Sequence, residues 1–396
     1  MMILTVAWLV LLCAIWASAA QPAGAGAADE LVLVPIYDGP ESTALSIYGT
    51  SPESPDGQRI CYVRYRELSG RDWQSRADAE LWVCDRDLTN HRKLFAVNVH
   101  NHNGANAMWI DNARVAFESA SGIHVLNVDT GEVVRGPIAG HIGNDAHDHK
   151  MLFAPGGGAG TNSAVSERGI YELDCDTGKI RQIISSAKIA EFLTEKLGEE
   201  YTPRIGLAHL QFSPDGRRIS FRLGRRRVAT VRSDGTGLTI FPGEKPMHFL
   251  WYDSNTFMGA DFGVRDGKPN NHEYRRWTPD GRFTETLAGP ITHGAASPDR
   301  QWYAGESTSY DGKPIRLVLY RRGRTQPMAT LMEHSFDYVT WQLRAHVNPS
   351  FSRDGKRVYF LQAVSNEKFR AVYVDMSRYI VEASREAGDD ERGGGN

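Results

Sequence analysis

The chain is 396 residues long, with 45 Lys and Arg against 48 Asp and Glu and a formal net charge of −3. With 41% apolar and 23% charged residues, 39 Gly and 18 Pro, it is not collagen-like, largely disordered or a multi-spanning membrane chain. The near-neutral balance gives no support to nucleic-acid binding driven by bulk positive charge.

Met1–Ala20 is an apolar run ending in Ala17-Ser18-Ala19, the small-residue pattern of a secretory cleavage site. Its first residues carry no Lys or Arg, so an uncleaved N-terminal anchor is the alternative. We expect a signal peptide over residues 1–20, a small-residue linker over 21–30, a folded domain over 31–380 and a disordered tail over 381–396. After cleavage the domain is expected to have no integral membrane segment and to be exported, either periplasmic or secreted. Cys61, Cys84 and Cys175 then remain, an odd and scattered set that is no disulfide framework. Cys61 and Cys84 fall on neighbouring predicted strands and can either pair or stay as small buried hydrophobes.

A polar turn followed by an alternating apolar strand recurs through the rest of the chain. It reads Ser54-Pro55-Asp56-Gly57, Ser213-Pro214-Asp215-Gly216, Ser297-Pro298-Asp299 and Ser352-Arg353-Asp354-Gly355. Degenerate copies are Trp109-Ile110-Asp111 and Trp251-Tyr252-Asp253, with Ala154-Pro155-Gly156 the weakest. The copies recur at intervals of about 40–60 residues, and most are followed by a second strand and an Asp-Gly or Thr-Gly hairpin turn. Repeats of four short strands predict an all-β, seven-bladed β-propeller. Leu31–Tyr37 precedes the first copy and is placed to close the last blade. Ser186–Glu200 breaks the pattern: Ile189, Phe192, Leu193 and Leu197 stand at helical spacing behind a Ser186 cap. This predicts one inserted helix over a face of the disc, a packing element more than a lid.

In a propeller the innermost strand of each blade runs beside the central channel and ends at this turn. Before the turns stand His209, His248, His293 and the pair His346/Asn348, with His147 and His149 before the weak third copy. A lone histidine at a strand start is ordinarily a hydrogen-bonded rim or core residue. Recurrence at matching places in successive blades points instead to a metal, a general base, or both.

At these residues the sequence resembles the oligogalacturonate lyases of polysaccharide lyase family 22, which are seven-bladed β-propellers. His346-Val347-Asn348-Pro349-Ser350-Phe351 is similar to the family's His-Pro-His-Pro-Ser-Phe, which has a Gln shortly upstream. His293 resembles its isolated metal-binding histidine, and His248 in Met247-His248-Phe249 its His-Glu-Phe-Trp element carrying the base. Arg227 sits where the family has a substrate-binding arginine, and His334-Ser335 echoes a His-rich turn before the last blade. Asn348 stands in place of a metal-binding histidine, and Gln342 lies four residues before His346 where the family has three.

The resemblance implies metal-dependent β-elimination on a uronate-containing, pectic oligogalacturonate-like substrate. His293, His346, Asn348 and Gln342 are its expected metal ligands and His248 its base. Arg227 and His209 are its expected contacts to an acidic oligosaccharide. Imidazole and amide donors with open positions suit Mn²⁺ better than Ca²⁺ or Mg²⁺. The alternative is a non-catalytic exported propeller of the TolB type, whose Ser-Pro-Asp-Gly strands look the same. No G-x-S-x-G elbow and no phosphate-loop Lys-Ser/Thr appears.

Overall fold

The computed structural model describes residues 31–68, 76–100, 104–155, 165, 167–198, 200, 202, 206–224, 227–242, 246–261, 264–265, 268–269, 273–307, 314–334, 346–365 and 367–383. The expected signal peptide and linker, Gln342 and Ser335 lie outside them. The described residues from Val32 onward belong to one compact unit, whose strands form seven four-stranded antiparallel sheets and one two-stranded hairpin.

Blade 1 comprises Thr43–Ala44, Arg59–Tyr65, Arg76–Asp85 and Arg92–His100, and blade 2 Met108–Trp109, Arg114–Ser119, Gly122–Asn127 and Val133–Ile138. Blade 3 comprises His141–His147, Lys150–Ala154, Gly169–Asp174 and Ile180–Ser185, and blade 4 Leu207–Phe212, Arg218–Leu223, Arg227–Arg232 and Thr239–Ile240. Blade 5 is built from Met247–Asp253, Thr256–Ala260, Glu273–Trp277 and Phe283–Pro290, with the small hairpin Val264–Arg265/Lys268–Pro269 inserted. Thr292–Ala296, Trp302–Ser307, Arg316–Arg321 and Ala329–Glu333 form blade 6. Blade 7 takes Ser350–Phe351, Arg357–Ser365 and Lys368–Asp375, and its outermost strand is the N-terminal Val34–Pro35, paired with Tyr373 and Val372. The ring therefore closes as the sequence indicated, which matters because no single blade can bury both its faces alone.

The recurrent turn has one physical cause. Each serine hydroxyl donates to the aspartate two residues on and accepts the backbone N–H five residues on. Ser213 Oγ–Asp215 Oδ1 is 2.7 Å and Arg218 N–Ser213 Oγ 2.9 Å; the distances at Ser352 are 2.7 and 2.8 Å. Gly57, Gly216 and Gly355 supply the left-handed residue, at φ of 70, 68 and 72°. The turn of blade 3 does not lie at Ala154-Pro155-Gly156. Asp148 and His149, at φ of 48 and 58°, make it, and Ala154 ends the next strand. Those two residue types tolerate the left-handed region, so the turn needs no Ser-Pro-Asp-Gly signature.

The inserted helix is Ser186–Leu197, capped one residue earlier than expected by Ser185, whose hydroxyl accepts from Lys188 N. Ile189 and Leu193 are fully buried against the apolar cluster of blades 3 and 4, so the helix is packing material. All three described cysteines are buried free thiols, and burial pushes Cys84 and Cys175 up to about 12. They behave as small hydrophobes.

Candidate metal and substrate site in the central channel

The innermost strands of blades 4, 5 and 6 share an irregularity. Ala208 pairs with Arg222 and Gln211 with Ser220, so His209 and Leu210 stand against one residue of the next strand. His248 and Phe249 do the same between the pairs Met247–Ala260 and Leu250–Met258. His293 and Gly294 repeat it between Thr292–Glu306 and Ala295–Ala304. Each is a β-bulge, which re-aims a side chain out of the ordinary pleat. The first bulge residue is left-handed every time: φ is 51° at His209, 48° at His248 and 37° at His293. Asn106 of blade 2 and Asn348 before the inner strand of blade 7 match them at 46°. Bulky residues other than Gly rarely adopt this region, and such outliers gather at functional sites. The bulge also needs space, because a Cβ on Gly259, opposite His248, would stand 2.9 Å from the Met247 carbonyl oxygen.

The bulges bring distant histidines together. The ring centroids of His248 and His293 are 3.8 Å apart, and those of His293 and His346 are 3.9 Å apart. Tyr48, from blade 1, lies 6.2, 5.6 and 5.2 Å from the rings of His209, His248 and His293. Asn144 of blade 3 reaches His209 Nδ1 at 3.5 Å. Asn348 is buried at the matching position of blade 7. His334 is also buried, but its Nε2 accepts the Ala363 N–H at 3.2 Å, a structural contact. His147 ends the inner strand of blade 3, and His149 binds Asp176 at 3.0 Å.

One site residue was not anticipated from the sequence. Glu306, 2% exposed, lies on the second strand of blade 6 directly opposite Thr292. Its Oε2 is 2.6 Å from His293 Nδ1, and its Oε1 is 3.7 Å from His346 Nδ1 and accepts the Val347 N–H at 2.6 Å. One ligand atom from each of His293, Glu306 and His346 lies within 4.8 Å of the others. The second-strand position before the bulge carries a charge in other blades too: Arg222 in blade 4, opposite Ala208, and Glu118 in blade 2, bonded to Asn106. That repeat register was the signal available in the sequence. The arginine lining the recess of Tyr48, His209 and His248 is Arg222. Arg227 begins the third strand, farther from the channel, paired with Leu223.

The electrostatics suit a cation. Burial pushes the Glu306 carboxyl up, but the charge of His293 and hydrogen bonds from His293 and His346 outweigh it, leaving it well below the usual carboxylate range. Burial and the charge of His293 bring His346 down to about 4. Burial, then Arg222, then His293 bring His209 down to about 3. His248 also falls well below the ordinary imidazole value, through burial and then the neighbouring histidines. At neutral pH His209, His248 and His346 therefore offer imidazole lone pairs near one ionised carboxylate. That is the donor chemistry of a transition-metal site, and the residues present fit one.

No family model matches the sequence, and no curated protein matches it. In three dimensions the chain is similar to an oligogalacturonate lyase from Vibrio parahaemolyticus, at 12% identity over 88% of this chain and 95% of that one, with a TM-score of 0.61. An oligogalacturonate lyase in complex with manganese aligns at 13% identity over 88% of this chain and 94% of that one, with a TM-score of 0.60. A TolB from Acinetobacter baumannii aligns at 16% identity over 80% of this chain and 64% of that one, but its TM-score of 0.37 carries no argument. Among the described residues, no helix is long and apolar enough to cross a membrane. Likeness at such identities speaks for the path of the backbone and not for activity. The chain folds as a seven-bladed β-propeller, the architecture of the oligogalacturonate lyase structures.

Proposed function

We propose that the chain is a metal-dependent lyase that cleaves a uronate-containing, pectic oligogalacturonate-like oligomer by β-elimination. The observation that carries this reading is the convergence of His293 and His346 on the buried Glu306, with His248 against His293 and Arg222 on the blade before that of His248. A divalent cation, Mn²⁺ in this proposal, would be held by His293, Glu306 and His346 and would stabilise the second negative charge that builds on a uronate carboxylate as its C5 proton leaves. Asn348 and Gln342 are the proposed amide ligands.

The chain's own residues do the rest. His248 is neutral because burial and its neighbours disfavour the cation, so it is assigned the role of the base that takes the C5 proton. The C5–H electron pair becomes the C4–C5 π-bond, and the C4–O4 bond breaks with its pair on oxygen, which takes a proton from solvent. Arg222, rather than the expected Arg227, is assigned the substrate carboxylate, because it shares a recess with His209 and His248. His209 adds a hydrogen bond beside it. We also propose export to the periplasm or medium, which N-terminal sequencing of the mature protein checks against the Ala17-Ser18-Ala19 site.

The test is to incubate the purified chain with Mn²⁺ and a panel of uronate oligosaccharides, following the ultraviolet absorbance of the C4–C5 double bond. Absorbance growing with time on at least one uronate is expected. Absence of product on all of them, together with absence of bound metal, overturns the proposal.

A further inference from the structure

The first halves of the inner strands carry His209, His248 and His293, while their last residues and the turns that follow enclose a second cavity of about 430 Å³. Tyr48–Thr50 lies between the two: Tyr48 lines the histidine recess and Gly49 the cavity. Gly49 N donates to Pro349 O at 3.0 Å and the Thr50 hydroxyl to Asn144 O at 2.9 Å, which ties this segment to blade 3 and to the residue before blade 7. Two departures from the recurrent turn line the cavity. Gly57, Gly216 and Gly355 each donate a backbone N–H to the serine carbonyl three residues back, and in blade 6 Arg300 does so, at 2.9 Å and φ of 59°. An arginine is strained in that region and glycine is not, so the turn itself does not account for it. In blade 7 Arg353 stands where the other Ser-Pro-Asp turns have proline. Its N–H to Glu53 Oε2, at 2.7 Å, accounts for the missing proline but not for a cationic side chain. The two turns abut, since a Cβ added to Gly355 would lie 3.4 Å from Pro298 Cδ. Neither guanidinium makes an ion pair with a described residue: Arg300 lies 5.5 Å from the Tyr252 ring centroid, and Arg353 donates to the Glu53 carbonyl oxygen at 3.2 and 3.3 Å. The one acid among the described lining residues is Asp145, which burial raises to about 7. Cations without a counter-charge, beside a cavity of small-ligand size, make an anion site.

We propose that this cavity is a second ligand site, distinct from the histidine cluster, that takes a small organic anion. Arg300 and Arg353 hold its carboxylate or phosphate, which the guanidinium fork suits equally, and its apolar body lies against Phe212, Trp251, Met258 and Phe351 of the wall. The cavity shares no lining residue with the histidine recess and includes neither Glu306 nor His346, so the inference does not rest on the lyase reading.

The experiment is calorimetric titration of the full chain, with and without Mn²⁺, using phthalate, phenyl phosphate and, as the neutral control, benzyl alcohol. At least one of the two anions is expected to bind the wild type at a single site with a Kd below about 1 mM, alike with and without Mn²⁺, and benzyl alcohol not measurably. Tighter binding of phthalate marks a carboxylate ligand, and tighter binding of phenyl phosphate a phosphate ester. Arg300→Gly restores the residue that the other turns use, so its melting temperature is expected to equal or exceed that of the wild type while anion affinity falls at least about tenfold. Arg353→Gln, which keeps the backbone N–H to Glu53, is expected to weaken the anion by a similar factor. No binding of either anion, binding that requires Mn²⁺, or wild-type affinity in both variants overturns the site. Uronate elimination, read separately by absorbance, is expected to be unchanged in Arg300→Gly, so either reading can fail while the other stands.

Discussion

Two buried carboxylates flank blade 7, one at its junction with blade 1 and the other at its junction with blade 6, and they do different things. Glu53, fully buried, joins blade 1 to blade 7: its oxygens accept from Arg86 Nε at 3.0 Å, the Arg353 N–H at 2.7 Å and the Tyr359 hydroxyl at 2.6 Å. Glu306, equally buried, faces His293 and His346 with only one backbone donor, that of Val347. The first is held by a guanidinium, a backbone N–H and a phenol, all of them donors that cannot ligate a metal ion beside it. The second faces two imidazole rings, whose nitrogens are metal-ligand atoms. Burial alone does not mark the site; the kind of partner does.

Breaking the stitch should give the largest effect. Glu53→Ala strands Arg86 and Tyr359 at the closure of the ring and is expected to cost about 3–5 kcal/mol in urea unfolding. A loss under about 1 kcal/mol would mean that closure rests on the Val34–Pro35 strand alone. At the other carboxylate's side, His248→Ala is expected to lower turnover by about 10²–10⁴-fold with metal content unchanged. Loss of metal in that variant would instead make His248 a ligand.

The smallest effect belongs to a third carboxylate, Asp145 of blade 3, which lines a cavity of about 430 Å³ bounded by the Ser-Pro-Asp turns. Its Oδ1 accepts the Phe212 N–H at 2.9 Å, yet burial raises its carboxyl to about 7. Between pH of about 4 and about 7 the unfolded chain has lost a proton that the native state keeps, so stability falls as pH rises through that window. Asp145→Asn keeps an oxygen for Phe212 and removes the penalty. Thermal melts should show the variant level with wild type at pH 4 and more stable by about 1–2 kcal/mol at pH 8, allowing for partial exposure. A gap that is constant with pH would contradict the shift.

What was legible in the sequence was what repeats. The Ser-Pro-Asp-Gly turns located most blades, because the hydroxyl–carboxylate–backbone bonding needs those residue types at those offsets. The histidines were legible because the bulge recurs at one place. Glu306 and Arg222 were not, because their contacts come from cross-strand register and each looks like an ordinary polar residue in an apolar strand. The bulge itself hides from period-two alternation, since an extra residue changes which face the following side chains take. The third turn was misplaced for a simpler reason: Asp148 and His149 do by left-handed backbone what Pro and Gly do elsewhere.

The central claim is that Glu306 and its histidines form a metal site, and Mn²⁺ titration followed by electron paramagnetic resonance tests it most directly. The account predicts one tight ion per chain in the wild type and at least about tenfold weaker binding in Glu306→Gln. Equal Mn²⁺ affinity in the two proteins, or no tight ion in the wild type, would contradict it.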